Sequence, residues 1–589
     1  MSPEAGHLKP EKRFSGIPVS PGIAHGNVFV HWFEEDEIPI RNITPEQVSE
    51  EVSRFETALI ATRAELLDIQ ERIANAIGAK DASIFDAHLL VIEDRTLIDE
   101  VLKALDRDRY NVEYVFHRVA ERYCKSLSEI KDAYLRERVV DIEDVARRVI
   151  RNLLGKAPKT VNNLERAHIL VSHDLSPSDT ALMSRELVLG FCTEAGSRTS
   201  HTAIMARSMD IPAVVGIHGV CSELNTGDHV LLDGYNGVLI LNPSPETLRE
   251  YGEIESKKEE IEENLELLRD TLSTTRDGKR IILSANIELP DELNDVIASG
   301  AEGIGLFRTE FLFLNRSTPP SEEEQYENYR LVAEKVAPHG VIIRTLDIGG
   351  DKFINGLDLV EEQNSFLGCR AIRFCLRHPE VFKPQLRAIL RAAKHGNIRL
   401  MYPMISGVEE LLQANAVLEE CKKELRAEEK EFREDLEVGI MIEIPSAALC
   451  ARLLAKHVRF FSIGTNDLIQ YSIAVNRLND EIAHLYDPVH PAVLQLIQMT
   501  VEAAHAEKIW VGVCGEMAGD ILYTPLLIGL GVDELSAGAS VVPHVKKAVQ
   551  SLDAKVCKEL TEEVMLSGDS SKTTARCEEV SRAHYPDLF

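Results

Sequence analysis

The sequence predicts a multidomain α/β protein: an N-terminal α/β domain interrupted by a helical bundle, and a C-terminal (β/α)8 TIM barrel. Two observations predict it. From Gly278 onward a strand-like segment followed by a helix-like one recurs eight times, with strands at Ile281–Ile287, Gly303–Phe307, Val341–Arg344, Arg399–Tyr402, Val438–Glu443, Phe460–Ile463, Trp510–Cys514 and Glu534–Ser536. Eight such units in about 300 residues are the pattern of that barrel. Before them, β-rich segments at 15–31 and 160–242 flank a stretch, 45–154, where β alternation stops. There apolar or buried-type residues fall at helical spacing, as in Val48, Val52, Phe55, Leu59 and again Ile84, His88, Val91.

The elements justify themselves in order. Residues 1–14 are polar and read as a flexible tail. SGIPVSPGIAHGNVFVH (15–31) reads as a strand, a Pro-Gly turn and a second strand, and Ala167–Ser172 as a further strand. The simplest account joins 15–44 and 155–244 into one α/β domain, with 45–154 inserted as a bundle whose mixed charges suit a solvated helical surface. Over 245–272 the apolar residues Leu248, Tyr251, Ile254, Ile261, Leu265, Leu268 and Leu272 form one thin stripe, so a single amphipathic helix is expected as a linker. The barrel takes 273–589.

Bulk properties exclude several function classes. At 589 residues the chain exceeds one core. A formal charge of −31 opposes nucleic-acid binding, which needs clustered Lys and Arg. No apolar run approaches the ~20 residues that span a bilayer, and the N-terminus carries no apolar signal core. The ten cysteines show no CxxC pairs, the pattern of reduced thiols in a cytoplasmic protein.

Chemistry in such a barrel sits where strands end at their C-terminal face. Strand two ends at Arg308, strand three at Arg344 and strand five at Glu443; strand six runs into Asn466-Asp467 and Arg477, and strand seven ends at Cys514. A core has no use for that set, because unpaired buried charge costs several kcal/mol. Forked arginine donors suit the oxygens of a small, multiply anionic substrate. Glu443 and Asp467 are hard oxygen ligands suited to Mg2+. An isolated cysteine is most often a small buried hydrophobe, but at a strand end a thiol with a pKa near ~8.5 can deliver a proton. A second candidate is His201, in GSRTSHTAIMAR (196–207). Thr199 or Ser200 caps a helix beginning there, whose positive end favours a neutral, nucleophilic ring and then a phosphate on it. Arg198 and Arg207 add positive charge.

EAGSRTSHTAIMARSMDIPAVVG (194–216) resembles the phosphohistidine segment of Enzyme I, pyruvate phosphate dikinase and phosphoenolpyruvate synthase. GIGLFRTEFLF (303–313), IRTLDIGGDK (343–352), FLGCRAIR (366–373), GIMIEIPSA (439–447), FFSIGTNDLIQY (460–471) and VCGEMAGD (513–520) resemble the phosphoenolpyruvate-binding barrel of that superfamily. The match runs from about Ser15 to about Ala548. It implies that the N-terminal α/β domain is a swivelling phosphohistidine domain and that His201 accepts a phosphoryl group. It implies that Arg308, Arg344, Asn466, Arg477 and, more weakly, Arg370 hold phosphoenolpyruvate, with Asp467 at the same site. Glu443 and Asp467 would bind Mg2+, and Cys514 would protonate the enolate to pyruvate. Ser197 stands where Gly is usual, Ser365 where Pro is common and Asn476 where Asp is frequent; none removes a group with a direct chemical role.

The N-terminus chooses between relatives. The dikinase and synthase need a large ATP-binding unit, whereas fewer than 200 mostly helical residues precede the phosphohistidine segment here and no GxxxxGK[ST] loop occurs. FDAHLLVIEDRTLIDEV (85–101) resembles the Enzyme I segment that docks the histidine-containing phosphocarrier protein HPr, which makes Enzyme I of the sugar phosphotransferase system the family resembled. The resemblance further implies a homodimer through the barrel. Two rivals remain at this stage: a dikinase-like enzyme without its nucleotide domain, and a sensor that binds phosphoenolpyruvate without turnover.

Overall fold

The computed structural model describes residues 11–589 apart from 32–37, 78–83, 129–132, 157–166, 176–186, 197–202, 204–205, 208–210, 314–315, 317, 350–366 and 478–481. In the N-terminal unit, Met1–Lys257, eight strands build one sheet: β1 (Lys12–Ser15), β2 (Ile17–Ser20), β3 (Ile23–His31), β4 (His168–Ser172), β5 (Val188–Thr193), β6 (Ala213–Val215), β7 (His229–Asp233) and β8 (Val238–Leu241). Their order is β1-β8-β7-β3-β4-β5-β6-β2, with β3, β4, β5 and β6 mutually parallel. Segments such as HILVS and HVLLD are near-continuous apolar runs, the mark of strands covered on both faces. The two-residue period sorts them: Ile169 and Val171 enter one core with Val28, Cys192 and Val214, while Leu170 enters another with Val188, Phe191 and Val215.

The strands β3 and β4 are neighbours, Val28 opposite Ile169, and the helices Val48–Ile77, Ile84–Ile92, Arg95–Asp108, Val112–Ser128 and Ala133–Leu153 lie between them in sequence. A parallel pair needs a crossover, and here the crossover carries a bundle with its own core of Phe55, Leu66, Phe85, Val101, Leu105, Phe116 and Val149. Asp94 caps its helix by accepting from the amides of Thr96 at 2.7 Å and Leu97 at 3.4 Å. His88, counted among the apolar positions by spacing, is fully buried, with Nε2 3.6 Å from Asp144 Oδ2.

The tail expected over 1–14 needs correcting at its end. Lys12–Ser15 is a strand that pairs antiparallel with β8 and covers an otherwise open edge. Glu11 accepts from the Ser244 amide at 3.0 Å and from Thr247 Oγ1 at 2.7 Å, at the start of the helix Pro245–Leu268. That helix is four residues shorter than the stripe suggested, and the division between the two units falls inside it, after Lys257.

In the C-terminal unit, Lys258–Phe589, β9 (Ile282–Ile287), β10 (Gly303–Phe307), β11 (Gly340–Arg344), β12 (Asn397–Tyr402), β13 (Glu437–Ile442), β14 (Phe460–Ile463), β15 (Trp510–Val513) and β16 (Glu534–Gly538) form a closed parallel barrel. It closes where Glu534 pairs with Ile282. Alternate strand residues divide between two cores. Leu306, Ile342, Met401, Met441, Phe460 and Cys514 cluster together, while Ile304, Val341, Ile343, Leu400 and Ile440 join the larger cluster to which the helices contribute.

Glu534 sits among the barrel's buried groups, accepting a hydrogen bond from the Ser284 hydroxyl. Burial raises its carboxyl above the usual range, against the opposing pull of Ser284 and Arg399. A raised folded-state value means that stability is fully present while the unfolded state is also protonated. It is lost as pH climbs above the ordinary 4.5. The thermal midpoint of the barrel unit is therefore expected to fall between pH 5 and pH 8. Glu534→Gln, which keeps the shape without the charge, should flatten that dependence and be more stable than wild type at pH 8. Calorimetry at the two pH values checks this.

Candidate functional site

The carboxyl ends of the barrel strands bring the expected barrel residues together. Arg308 follows β10 and donates through Nη1 to Glu288 Oε1 at 2.8 Å. Arg344 closes β11; its Nη2 donates to Glu310 Oε1 at 2.8 Å and its Nη1 lies 3.0 Å from Asp347 Oδ2. Arg370 reaches Asp347 Oδ1 through Nε at 3.1 Å and Nη2 at 2.9 Å, and Asp467 Oδ2 through Nη2 at 3.4 Å. Glu443, directly after β13, accepts from the Met404 amide at 2.6 Å. Asn466 Nδ2 donates to Glu516 Oε1 at 3.0 Å, and Arg477 pairs with the same carboxylate. Cys514 follows β15, with its Sγ 3.7 Å from Ile463 O.

Local sequence explains how these groups are held. A Cβ on Gly515 would stand 1.9 Å from Thr465 Oγ1, so only glycine lets the chain turn past the start of the helix Thr465–Ile473. Asn286, near the end of β9, donates to the carbonyls of Cys514 and Ser536, each at 3.1 Å, and so fixes the backbone behind the thiol. Two non-glycine residues at positive φ flank the charged groups: Ala371 (φ 52°), next to Arg370, and Met404 (φ 56°), whose amide holds Glu443. Such conformations cost on the order of 1–3 kcal/mol each and persist where the surroundings over-determine them.

Electrostatics sort the groups by role. Burial, then the charges of Asp467 and Asp347, push the Glu443 carboxyl well above the usual carboxylate range. Burial raises Asp467 as well, against Arg370. Burial pushes the Cys514 thiol up to about 11, so at neutral pH it carries its proton. Arg344 and Arg370 are held firmly protonated: burial opposes their charge, and the neighbouring carboxylates outweigh it.

The donor set fits a hard divalent cation. Among the described residues no group of three or more His, Cys, Asp and Glu side chains could hold a metal by itself. Glu443 and Asp467 instead supply two carboxylates whose ionisation burial opposes, which a cation would relieve. One or two carboxylates, with water and other oxygens completing the shell, are the usual protein ligands of Mg2+.

His201 lies outside the described residues, as do Arg198, Thr199 and Ser200. What surrounds the segment is clear. Glu194, just beyond β5, pairs with His173 Nδ1 at 2.7 Å and accepts from the Cys221 amide at 3.0 Å. Gly196 takes φ +117° with its Cβ position 3.1 Å from Val215, Ala203 and Ala206 are buried, and Arg207 Nη1 donates to Val19 O at 3.1 Å.

Five residues of the rim were not singled out by sequence: Glu288, Glu310, Asp347, Gln385 and Glu516. Glu310 and Asp347 follow Arg308 and Arg344 by two and three residues inside quoted motifs, a spacing that could have flagged them. Gln385 had no such signal. It projects from the helix Pro379–Ala392, accepts from the Leu346 amide at 2.9 Å and donates to Thr309 Oγ1 at 3.0 Å; Thr309 in turn donates to Arg344 O at 3.0 Å.

Comparison with known proteins gives three family matches: "PEP-utilising enzyme, N-terminal" over 15–138, "PEP-utilising enzyme, mobile domain" over 164–237 and "PEP-utilising enzyme, PEP-binding domain" over 262–554. The chain is 42% identical over 571 residues to a phosphoenolpyruvate-protein phosphotransferase of Staphylococcus carnosus, covering 97% of this chain and 99% of the relative. It is 44% identical over 545 residues to the protein of that name from Haemophilus influenzae, covering 92% and 95%. The Priestia megaterium protein of that name is 42% identical over 541 residues, covering 92% and 94%.

Because the Gly515 Cβ position meets Thr465 at 1.9 Å, Gly515→Ala should destabilise the barrel unit by about 1–3 kcal/mol through overpacking. A urea titration followed by Trp510 fluorescence measures it.

Proposed function

This chain belongs to the phosphoenolpyruvate-protein phosphotransferase family, and on that premise we propose that it moves the phosphoryl group of phosphoenolpyruvate to His201 and on to the histidine of the carrier HPr, releasing pyruvate. One observation carries the reading most directly. Arg344, Arg370, Glu443, Asp467 and a protonated Cys514 converge at the carboxyl ends of the barrel strands.

Arg344 and Arg370, with Arg308, Asn466 and Arg477, bind the carboxylate and phosphate oxygens of the substrate. A divalent ion such as Mg2+, held by Glu443 and Asp467, neutralises charge on the transferring group when bound. His201 attacks phosphorus in line as the bond to the enol oxygen breaks. The enolate left behind takes its proton at C3 from Cys514 Sγ, and solvent returns a proton to the thiolate. Burial supports that last role, since a thiol pushed up to about 11 stays protonated at neutral pH and regains its proton readily. The donor residues belong to one unit and His201 to the other, which supports the 245–272 segment as the hinge of a swivelling step.

Exposed Ile60 and Leu90 sit on the packed helices Val48–Ile77 and Ile84–Ile92, beside the acidic run Glu93-Asp94. These two exposed apolar side chains, on helices that pack together, support docking of a carrier protein on this bundle. Exposed Leu449, Leu453 and Met499, on neighbouring packed helices of the barrel, support the homodimer. All ten cysteines are free thiols, which supports a reaction in the reducing cytoplasm; no described helix is long and apolar enough to cross a membrane. The intact Cys514, Glu443 and Asp467 favour turnover over sensing.

Incubation with 32P-phosphoenolpyruvate and Mg2+ should place acid-labile, base-stable label on the wild-type chain and none on His201→Ala. Label that persists in the variant would overturn the assignment. Leu90→Glu should leave self-labelling unchanged and slow transfer to HPr by tenfold or more, as expected when about 1.4 kcal/mol of docking energy is lost. Rapid-quench assays of the two steps separate these effects.

A further inference from the structure

The side chains of Arg344 and Arg370 are 11% and 12% exposed. Two like charges brought that close and that far from water repel each other and lose hydration, so something must hold them in register. Asp347, with a side chain only 3% exposed, does so. Its Oδ1 receives both Nε and Nη2 of Arg370, at 3.1 and 2.9 Å. Its Oδ2 lies 3.0 Å from Arg370 Nη2 and 3.0 Å from Arg344 Nη1. One carboxylate therefore spans both cations. Glu310 supplies a second anchor, since its Oε1 accepts from Arg344 Nη2 at 2.8 Å and from the Asp347 amide at 3.0 Å. The backbone beneath is pinned as well, because the buried Gln385 ties Leu346 to Thr309 and Thr309 ties to Arg344. Arg344 Nε is buried and makes no hydrogen bond among the described residues, which leaves a donor uncommitted.

We propose that Asp347, seated by Glu310, is a positioning residue for phosphoenolpyruvate: a buried brace that sets the separation and orientation of the Arg344 and Arg370 guanidinium forks. This rests on the reading that those arginines hold the substrate. The opposite role, a mere counter-charge, has the opposite signature. Removing a spare negative charge near an anion site tightens substrate binding, whereas removing a brace misplaces two forks, and displacements of about 1 Å cost up to ~100-fold in rate.

The test compares wild type, Asp347→Asn and Glu310→Gln, the first two nearly identical in shape, by steady-state pyruvate release with excess HPr as the phosphoryl acceptor and by thermal melting. Asp347→Asn should raise KM for phosphoenolpyruvate and lower kcat/KM by about 10- to 100-fold. Glu310→Gln, which leaves Asp347 and Arg370 paired, should give a smaller change in the same direction and supplies the comparison if the first variant does not fold. A fall in KM would overturn the proposal in favour of a competing charge. A lowered melting temperature with unchanged KM and kcat would overturn it in favour of a purely structural role. A wild-type chain that neither takes label nor releases pyruvate would overturn the phosphoenolpyruvate reading, and the brace with it.

Discussion

The need to keep positive charge out of water at the barrel rim governs the rest of this structure. Arg344 and Arg370 are buried, and an uncompensated buried charge costs several kcal/mol. Their forks are therefore matched by Glu310, Asp347 and Asp467. The matching is incomplete in the other direction. Glu443 and Asp467 remain carboxylates whose ionisation burial opposes, a condition that a bound cation would relieve. The rim thus carries carboxylate charge that its own side chains do not fully neutralise, at some expense to the folded state.

Holding such a cluster needs rigid support, and the barrel supplies it from three directions. Gly515 lets the chain pass against Thr465. Asn286 bonds across to the carbonyl behind Cys514. Gln385 reaches in from a helix to bind the loops after β10 and β11 at one point. The positive φ angles of Ala371 and Met404 fall beside Arg370 and Glu443, so two strained backbone positions flank the charged groups. That coincidence is expected where function, rather than stability, selects the geometry.

The N-terminal unit solves a different problem. A parallel β3–β4 pair requires a crossover, and the chain uses that requirement to insert a bundle with its own core. The bundle leaves Ile60 and Leu90 exposed while the sheet presents its Glu194 and Gly196 turn just before the His201 segment. The exposed apolar residues and the turn after β5 thereby stand on separate elements of one unit.

The sequence by itself determined the eight barrel strands, the interrupted α/β domain and which charged and thiol side chains stand at the strand ends. Periodicity and strand-end position are local properties, readable along the chain for Arg308, Arg344, Glu443, Asn466, Asp467 and Cys514. It misjudged the edge strand Lys12–Ser15, whose four residues carry no apolar pattern and form a strand only because β8 offers unpaired backbone groups. Tertiary structure alone decided that Asp347 spans two arginines, that Gln385 ties residues 39 and 76 positions away in sequence to one point, and that burial keeps the Cys514 thiol protonated. Those are properties of distance and dielectric between residues remote in the chain, and no spacing along a sequence encodes them before the barrel closes.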